Sequence, residues 1–492
     1  MTAVDALRTP PEASDPSTDR PSDRASDVVR QSRWLAASGV VVGLVNYGYS
    51  LAMTRLLAPE LFADFAAAQS LLLVCGTLAT SSMPWVVARV LADPARSGDE
   101  RHQAIWFSLV VNLAQGVVAA VVICAIGARF LGAGSLVAVA VASIAIFLIT
   151  TPGGWFQGTA RFGQLAFFRV LEVVVKLVVG VALVLAGADD TGALTAVAVG
   201  ALVVVAAGMV RMRADLRWTP GALRVRSLWQ NSLGNVGVQG LVAVMASTDV
   251  VLVAVLDGGS PASGSYQASA ILGRVPVFLA GALAAAAFPT LVAHTAAARQ
   301  VRTASTAAYG WLAGAYALAL VCAPAVLVGV VFPGSYALVD EVLPWAAVAG
   351  LLMGAINLVT TFFQASARYG FAIRVLAVAS GLHLVVLAAG WAVADVQGVA
   401  VASPVVPAAV LAVLLSSPVA HLARPRLGTA LRCAAAVAVA AAALLLTRPW
   451  WPLWLAVATA VGLLALHRAL TAAPGRRPGA HRRTTSKRAG LR

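Results

Sequence analysis

The 492-residue chain is 60% hydrophobic and 11% charged, with a formal net charge of +15 and a mean hydropathy of +0.86. Soluble domains are nearer half apolar and a quarter charged, so this composition excludes a soluble protein and indicates an all-α integral membrane protein. Cys75, Cys124, Cys322 and Cys433 all lie inside apolar runs without CxxC spacing or a neighbouring His cluster; no disulfide, metal site or cofactor is expected, and no nucleic-acid partner either.

Residues 1–30 are rich in Asp, Ser, Pro, Thr and Arg and hold no apolar core of a signal peptide. They read as a disordered cytoplasmic tail, and the first apolar helix is expected to act as its own insertion signal. Runs long enough to cross ~30 Å of hydrocarbon, about 20 residues each, follow at 34–54, 65–91, 103–126, 134–155, 165–187, 192–210, 229–256, 266–293, 306–331, 343–365, 371–393, 397–418, 430–447 and 451–467. About fourteen transmembrane helices are therefore expected. The runs are continuous where barrel strands would alternate, which favours helices over a barrel.

Alternate loops differ sharply in charge. One set holds Arg89, Arg96, Arg101, Arg161, Arg169, Arg211, Arg213, Arg217, Arg224, Arg226, Arg299, Arg302, Arg368, Arg374, Arg424, Arg426 and Arg432, while the other holds only Arg55, Arg129 and Arg448. The positive-inside rule then places both termini in the cytoplasm of a multi-pass protein of the cell membrane. The basic stretch at 471–492 reads as a second cytoplasmic tail that brushes anionic lipid.

The octapeptide FQGTARFG at 156–163 returns as FQASARYG at 363–370. PWVVAR at 84–89 matches PTLVAH at 289–294, and RVL at 169–171 matches RVL at 374–376, in the same order and nearly the same register. These matches predict two six-helix lobes, 31–211 and 229–420, joined by a basic cytoplasmic linker at 212–228 and followed by an extra helix pair at 421–470. An even number of helices per lobe makes the repeat parallel, with the substrate between the lobes. The octapeptide itself, at a cytoplasmic turn, reads as a structural hinge whose small residues and glycine permit the reversal.

Ionisable residues inside a membrane are costly and mark function by default. Glu172 and Lys176 stand at i and i+4 on the fifth run, with Lys176 ~16 Å into the span at 1.5 Å per residue. Either they neutralise one another inside the bundle, or Lys176 faces the central cavity and binds phosphate or a sugar acid with Glu172 tuning it. The matching positions of the second lobe are Ala377 and Gly381, so this pair breaks the repeat. Asp249 and Arg274 fall in the outer halves of adjacent antiparallel runs, either as an ion pair or with Arg274 free to grip a pyrophosphate bidentately. Arg89, Arg161, Arg169, Arg368 and Arg374 sit at cytoplasmic helix ends, either as snorkelling anchors or as a cationic vestibule for an anionic headgroup. Asn46, Gln69, Asn112, Gln115, Asn235, Gln239 and Asn357 are intramembrane amides of the kind that tie helices together. Pro84, Pro276, Pro289, Pro324 and Pro344 are expected to kink their helices.

The run WLAASGVVVGLVNYGYSLAMTRLLAPELFADFAAAQSLLLV, the segment PWVVARVLA, the stretch TDVVLVAVLDGGSPASGSYQASAILGRVP and FFRVLEVVVKLVVG together resemble the Wzx-type polysaccharide flippases of the multidrug/oligosaccharidyl-lipid/polysaccharide exporter superfamily. The resemblance extends over roughly residues 30–470. It implies a two-lobed transporter that carries a polyprenyl-pyrophosphate-linked oligosaccharide across the cytoplasmic membrane by alternating access. Membrane lipids, a polysaccharide polymerase and glycosyltransferases would be its partners. It also implies, by likeness to the peptidoglycan lipid flippases, that Arg274 is a cavity arginine. Substrate-binding candidates are thus Lys176, Arg274, Glu172 and Asp249.

Two other classes compete. A MATE-like, ion-coupled exporter of small cations needs carboxylates in its lobes, and Glu172 and Asp249 each have a basic neighbour. A multi-span glycosyltransferase needs acidic residues in sizeable outer loops; Asp189 and Asp190 occupy only the tight turn GADDTG, where helix capping accounts for them. No GxxxxGK[ST] phosphate loop is present, so no ATP hydrolysis and no enzyme activity are expected. A non-transporting scaffold of a polysaccharide assembly complex is the remaining alternative.

Overall fold

The computed structural model describes residues 21–472 apart from 82, 94, 258–259, 293–295, 367 and 419–426. Most of the first tail, nearly all of the last, part of the PTLVAH stretch, and Arg424 and Arg426 lie outside the described residues, as do the side chains of Asn235 and Pro289.

The described chain is helical almost throughout. In order, the helices are α1 (Pro21–Leu56), α2 (Pro59–Ser81), α3 (Met83–Ala92), α4 (Gly98–Gly127), α5 (Ala133–Leu148), α6 (Thr150–Gly158), α7 (Phe162–Leu185) and α8 (Asp189–Met212). A short 3-10 turn at Pro220–Arg224 leads to α9 (Arg226–Leu256), α10 (Pro261–Gly273), α11 (Val275–Val292), α12 (Ala296–Val321), α13 (Ala325–Val331), α14 (Val339–Ala365), α15 (Tyr369–Ala402), α16 (Val405–Ser416), α17 (Leu427–Thr447) and α18 (Trp451–Ala472). In lipid every backbone N–H and C=O must find a partner within the protein, and helices meet that demand internally. α1 begins at Pro21, inside the segment expected to be a tail.

Among the described residues, ten helical segments are long and apolar enough to cross a membrane, and the chain is a multi-pass membrane protein. α1, α7 and α17 fall outside those ten; α7 is apolar enough but carries three charges, Arg169, Glu172 and Lys176, along its span. The segment Tyr369–Ser416 counts once among the ten, yet it leaves helical geometry at Ala394 and Asp395, where Asp395 has φ 45° and ψ −130°. Its two flanks meet at Gly390 and Gly398: a Cβ on Gly398 would lie 1.9 Å from the Gly390 carbonyl oxygen, so only glycine permits the approach.

Several expected spans are pairs of helices. Breaks separate α2 from α3, α5 from α6, α10 from α11 and α12 from α13, with Pro84, Pro152, Pro276 and Pro324 beside them. Pro344 sits within a continuous α14. The α4 terminus follows ordinary capping: the Ser97 side chain accepts from the Glu100 N–H and the Glu100 carboxylate accepts from the Ser97 N–H.

Within the first half α1 packs on α7, α7 on α8, α8 on α5 and α5 on α4, while α3 lies against α6. In the second half α14 packs on α10, α11, α12 and α16, and α15 packs on α9 and α16. The seam between halves is made chiefly by α2 against α9 and α10. One buried cluster bridges the halves, joining Tyr49, Phe62 and Phe65 with Phe332, Tyr336 and Leu343; a second, around Met353, Phe362 and Leu376, belongs to the second half alone.

Candidate functional site

Lys176 is 8% exposed, in the middle of α7. Asn46 and Tyr49 stand at i and i+3 on α1, hence on one face, and that face meets Lys176. The ammonium donates to the Asn46 Oδ1 and sits 4.9 Å from the centroid of the Tyr49 ring. A desolvated cation over an aromatic face gains about 2 kcal/mol. Tyr49 is itself fixed, its hydroxyl donating to the Ala193 carbonyl of α8 at 2.8 Å. α8 comes this close because Gly200 faces α7: a Cβ there would lie 2.8 Å from the Glu172 carbonyl and 3.3 Å from the Lys176 Cβ. Arg169, Glu172 and Lys176 share one face of α7, and their exposure falls along it from exposed through half-buried to buried.

Arg274 sits in the break between α10 and α11. Pro276 has no N–H for the carbonyl of Leu272, and the Tyr316 hydroxyl from α12 donates to that oxygen instead, at 3.0 Å. α14 is drawn against the break through glycine, since a Cβ on Gly350 would lie 1.7 Å from the Gly273 carbonyl oxygen. So placed, the Arg274 guanidinium donates from Nη1 to the Ser70 Oγ on α2 at 2.8 Å and from Nη2 to the Ala246 carbonyl on α9 at 3.1 Å. The Ser247 hydroxyl also points to the Ser70 carbonyl, at 3.5 Å. This cation therefore ties the second half to the first.

Neither expected charge pair is closed: among the described residues no salt bridge within 4 Å joins Glu172 to Lys176 or Asp249 to Arg274. Lys176, Arg274 and Asp249 each have a different partner. Asp249 accepts from the Tyr266 hydroxyl at 2.9 Å through Oδ2, and its Oδ1 is buried without a hydrogen-bond partner. Asp249, Arg274, His383 and Ser403 line one cavity of about 60 Å³ whose wall also includes Leu73 of α2. The Nδ1 of His383, on α15, is likewise buried and unpartnered. A cavity of this size has room for a water, although most of its lining is apolar.

Arg89, Arg161, Arg169, Arg368 and Arg374 are all exposed; Arg161 lies 4.7 Å from the Trp155 ring centroid and Arg374 Nε donates to the Gly370 carbonyl at 3.2 Å. The two octapeptides close with the same backbone bond, Arg161 N–H to the Phe156 carbonyl at 2.8 Å and Arg368 N–H to the Phe363 carbonyl at 3.0 Å. The residue that reverses the first turn is Ala160, at φ 56°, and Gly163 lies already within α7. Asp190 does not cap α8 but accepts from Ser135 of α5 at 2.6 Å. Three of the amides act as ties: Asn46 on Lys176, Asn112 on Thr150 and Thr151 at 2.9 Å each, and Gln239 on Gln364 at 3.1 Å; the Gln115 Oε1 is buried without a partner.

Ser70, Tyr49 and His383 were not singled out from sequence. For His383 a signal existed, a lone imidazole in the apolar run GLHLVVLAAG. Ser70 and Tyr49 are ordinary residues whose role depends on contacts across the fold.

A family model described as polysaccharide biosynthesis protein matches residues 28–294. No curated protein sequence matches the chain. Among solved structures, the lipid II flippase MurJ in an inward closed conformation is similar with a TM-score of 0.70 at 11% identity, covering 88% of this chain and 99% of that one. A eukaryotic MATE transporter is similar with a TM-score of 0.58 at 14% identity, covering 84% and 100%. An inward-facing multidrug resistance MATE transporter of the MOP superfamily is similar with a TM-score of 0.58 at 15% identity, covering 77% and 95%. The expected transporter architecture is thereby met as to fold.

Proposed function

The chain belongs to the polysaccharide biosynthesis protein family, and from that premise we propose that it is a flippase for a polyprenyl-pyrophosphate-linked oligosaccharide, working by alternating access between its two six-helix halves. Fourteen spans with both termini cytoplasmic, and a translocation path between residues 31–211 and 229–420, are part of this reading. The transporter fold stands against an enzyme reading. A polysaccharide polymerase and glycosyltransferases would act before and after it.

The observation that carries the proposal is the placement of Arg274, a membrane-buried guanidinium bonded across the seam to Ser70 on α2 and to Ala246 on α9. Both acceptors are neutral. A pyrophosphate offers charged oxygens that match the guanidinium fork, and such charge-assisted bonds are roughly twice as strong as neutral ones. Substrate arriving between the halves would take Arg274 from Ser70 and release that tie, which couples binding to opening. Lys176 would act from the other half, with Glu172 setting its charge balance, and Arg169 leading toward it from the exposed end of α7. Arg89, Arg161, Arg368 and Arg374 would supply a diffuse basic rim for an anionic headgroup.

The test is depletion of the protein in cells that make the polymer. The lipid-linked oligosaccharide should accumulate on the cytoplasmic leaflet while polymer at the surface falls; an unchanged pool would sink the proposal. The second reading, an ion-coupled exporter of small cations, is favoured by the MATE-like fold and by the unpartnered Asp249 Oδ1 and His383 Nδ1. It predicts cation-dependent drug resistance and no change in the lipid-linked pool.

A further inference from the structure

A second pocket, of about 410 Å³, opens at the end of the first half where α3, α4 and α6 meet the chain leaving α8. Arg101, His102, Trp155, Thr159 and Asp215 line it, and none of them belongs to the Lys176 or Arg274 sites. Arg101 is held in place by a bond from Nη2 to the Asp93 carbonyl at 3.2 Å, and its Nε is buried with no hydrogen-bond partner. His102 Nδ1 lies 2.7 Å from the Asp215 carbonyl oxygen. Since a carbonyl only accepts, Nδ1 carries the proton and donates, and Nε2 is the ring nitrogen left for a ligand. The Trp155 indole N–H donates to the Asp215 carboxylate at 2.8 Å, fixing both groups. Trp155 is buried and forms an aromatic wall, with Arg161 against its ring at 4.7 Å.

These groups divide by chemistry. Arg101 offers donors to an anion, Asp215, Thr159 and the Nε2 of His102 offer partners to hydroxyls, and Trp155 offers an apolar face. The volume exceeds what a bare phosphate fills and falls within the ~300–1,000 Å³ of organic-ligand sites. We propose that this pocket binds a phosphorylated polyol, a phosphate carried next to a sugar-like ring, on the side of the membrane that the arginine bias assigns to the cytoplasm. Two sources share that chemistry: a soluble sugar phosphate, or the headgroup of an inositol-type phospholipid. Bound there, the ligand joins α4 and α6 to the linker that follows α8, and so bears on the segment connecting the halves.

The experiment uses the full chain in phosphatidylcholine nanodiscs, titrated calorimetrically with glucose 1-phosphate and, separately, with short-chain phosphatidylinositol. Saturable binding of either is the expected result; binding of the first alone identifies a soluble source and of the second alone a lipid source. Arg101→Gln should weaken binding at least tenfold and Thr159→Val several-fold, with thermal melting confirming that both fold. Arg96→Gln, whose guanidinium pairs with Asp93 and Glu100 on the exposed surface, should leave binding unchanged. No saturable binding of either compound, no loss in Arg101→Gln, or an equal loss in Arg96→Gln would overturn the proposal. The assay involves no transport, so its outcome is separate from that of the flippase reading.

Discussion

The two intramembrane cations, Lys176 and Arg274, differ in what they hold together. Lys176 is partnered wholly within the first half, by Asn46 and Tyr49 of α1, so rigid-body motion of one half against the other leaves its bonds intact. Arg274 is partnered across the seam, by Ser70 of α2, so the same motion must break a bond. A charge with only local partners can stabilise a half in every state, whereas a charge that spans the seam has different partners in different states. The latter alone can link substrate binding to a change of access. On the proposed flippase reading, Arg274 would be the residue that couples binding to switching, and Lys176 would also hold its half together.

The most disruptive way to break this comparison is to move the helix break itself. Gly350→Ala would put a methyl group within 1.7 Å of the Gly273 carbonyl oxygen, forcing α14 away from the Arg274 turn. A loss of about 3 kcal/mol or more is expected from such overpacking against backbone, read as a large drop in melting temperature together with lost transport. Next, Lys176→Ala should cost about 2 kcal/mol, through the lost cation–aromatic contact and an Asn46 acceptor left unpaired. Lys176→Arg should recover part of it. If thermal melting of Lys176→Ala equals that of the wild type while transport fails, the lysine is a substrate contact and the assignment to integrity is wrong.

Smaller effects sharpen the picture further. Tyr266→Phe removes the donor to Asp249 Oδ2 and leaves a second buried carboxylate oxygen without a partner, at about 1–2 kcal/mol. Asn46→Ala deletes a single amide contact and should cost about 1 kcal/mol, consistent with the modest value of hydrogen bonds between membrane helices. Of the two, only Tyr266→Phe should alter transport beyond what stability explains, because Asp249 shares a cavity with Arg274.

The helices were legible because lipid demands long apolar runs, and each expected run lies chiefly on described helix. Most breaks were legible: Pro84, Pro152, Pro276 and Pro324 stand beside those inside expected spans, and the gap between the runs at 371–393 and 397–418 holds the break at Ala394 and Asp395. Pro344 marks none, because α14 runs through it. The candidate site was half legible. Lys176 and Arg274 stand out as charges in apolar surroundings, while their partners lie 130 and 204 residues away in sequence. The Asp249–Arg274 contact illustrates the limit. Adjacent antiparallel helices bring the two to one cavity, as spacing suggested, but the break at Gly273 turns the guanidinium toward α2 and α9, leaving the carboxylate to Tyr266.

Translocation in proteoliposomes tests the central claim most directly. Purified wild-type protein and Arg274→Ala, matched in melting temperature, are compared for transfer of a fluorescent polyprenyl-pyrophosphate-linked oligosaccharide between leaflets. The account predicts transfer well above protein-free vesicles for the wild type and at least a tenfold slower rate for Arg274→Ala, the loss of about 1.4 kcal/mol or more of charge-assisted contact. Wild-type transfer no faster than in empty vesicles, or equal rates for the two proteins, would contradict it.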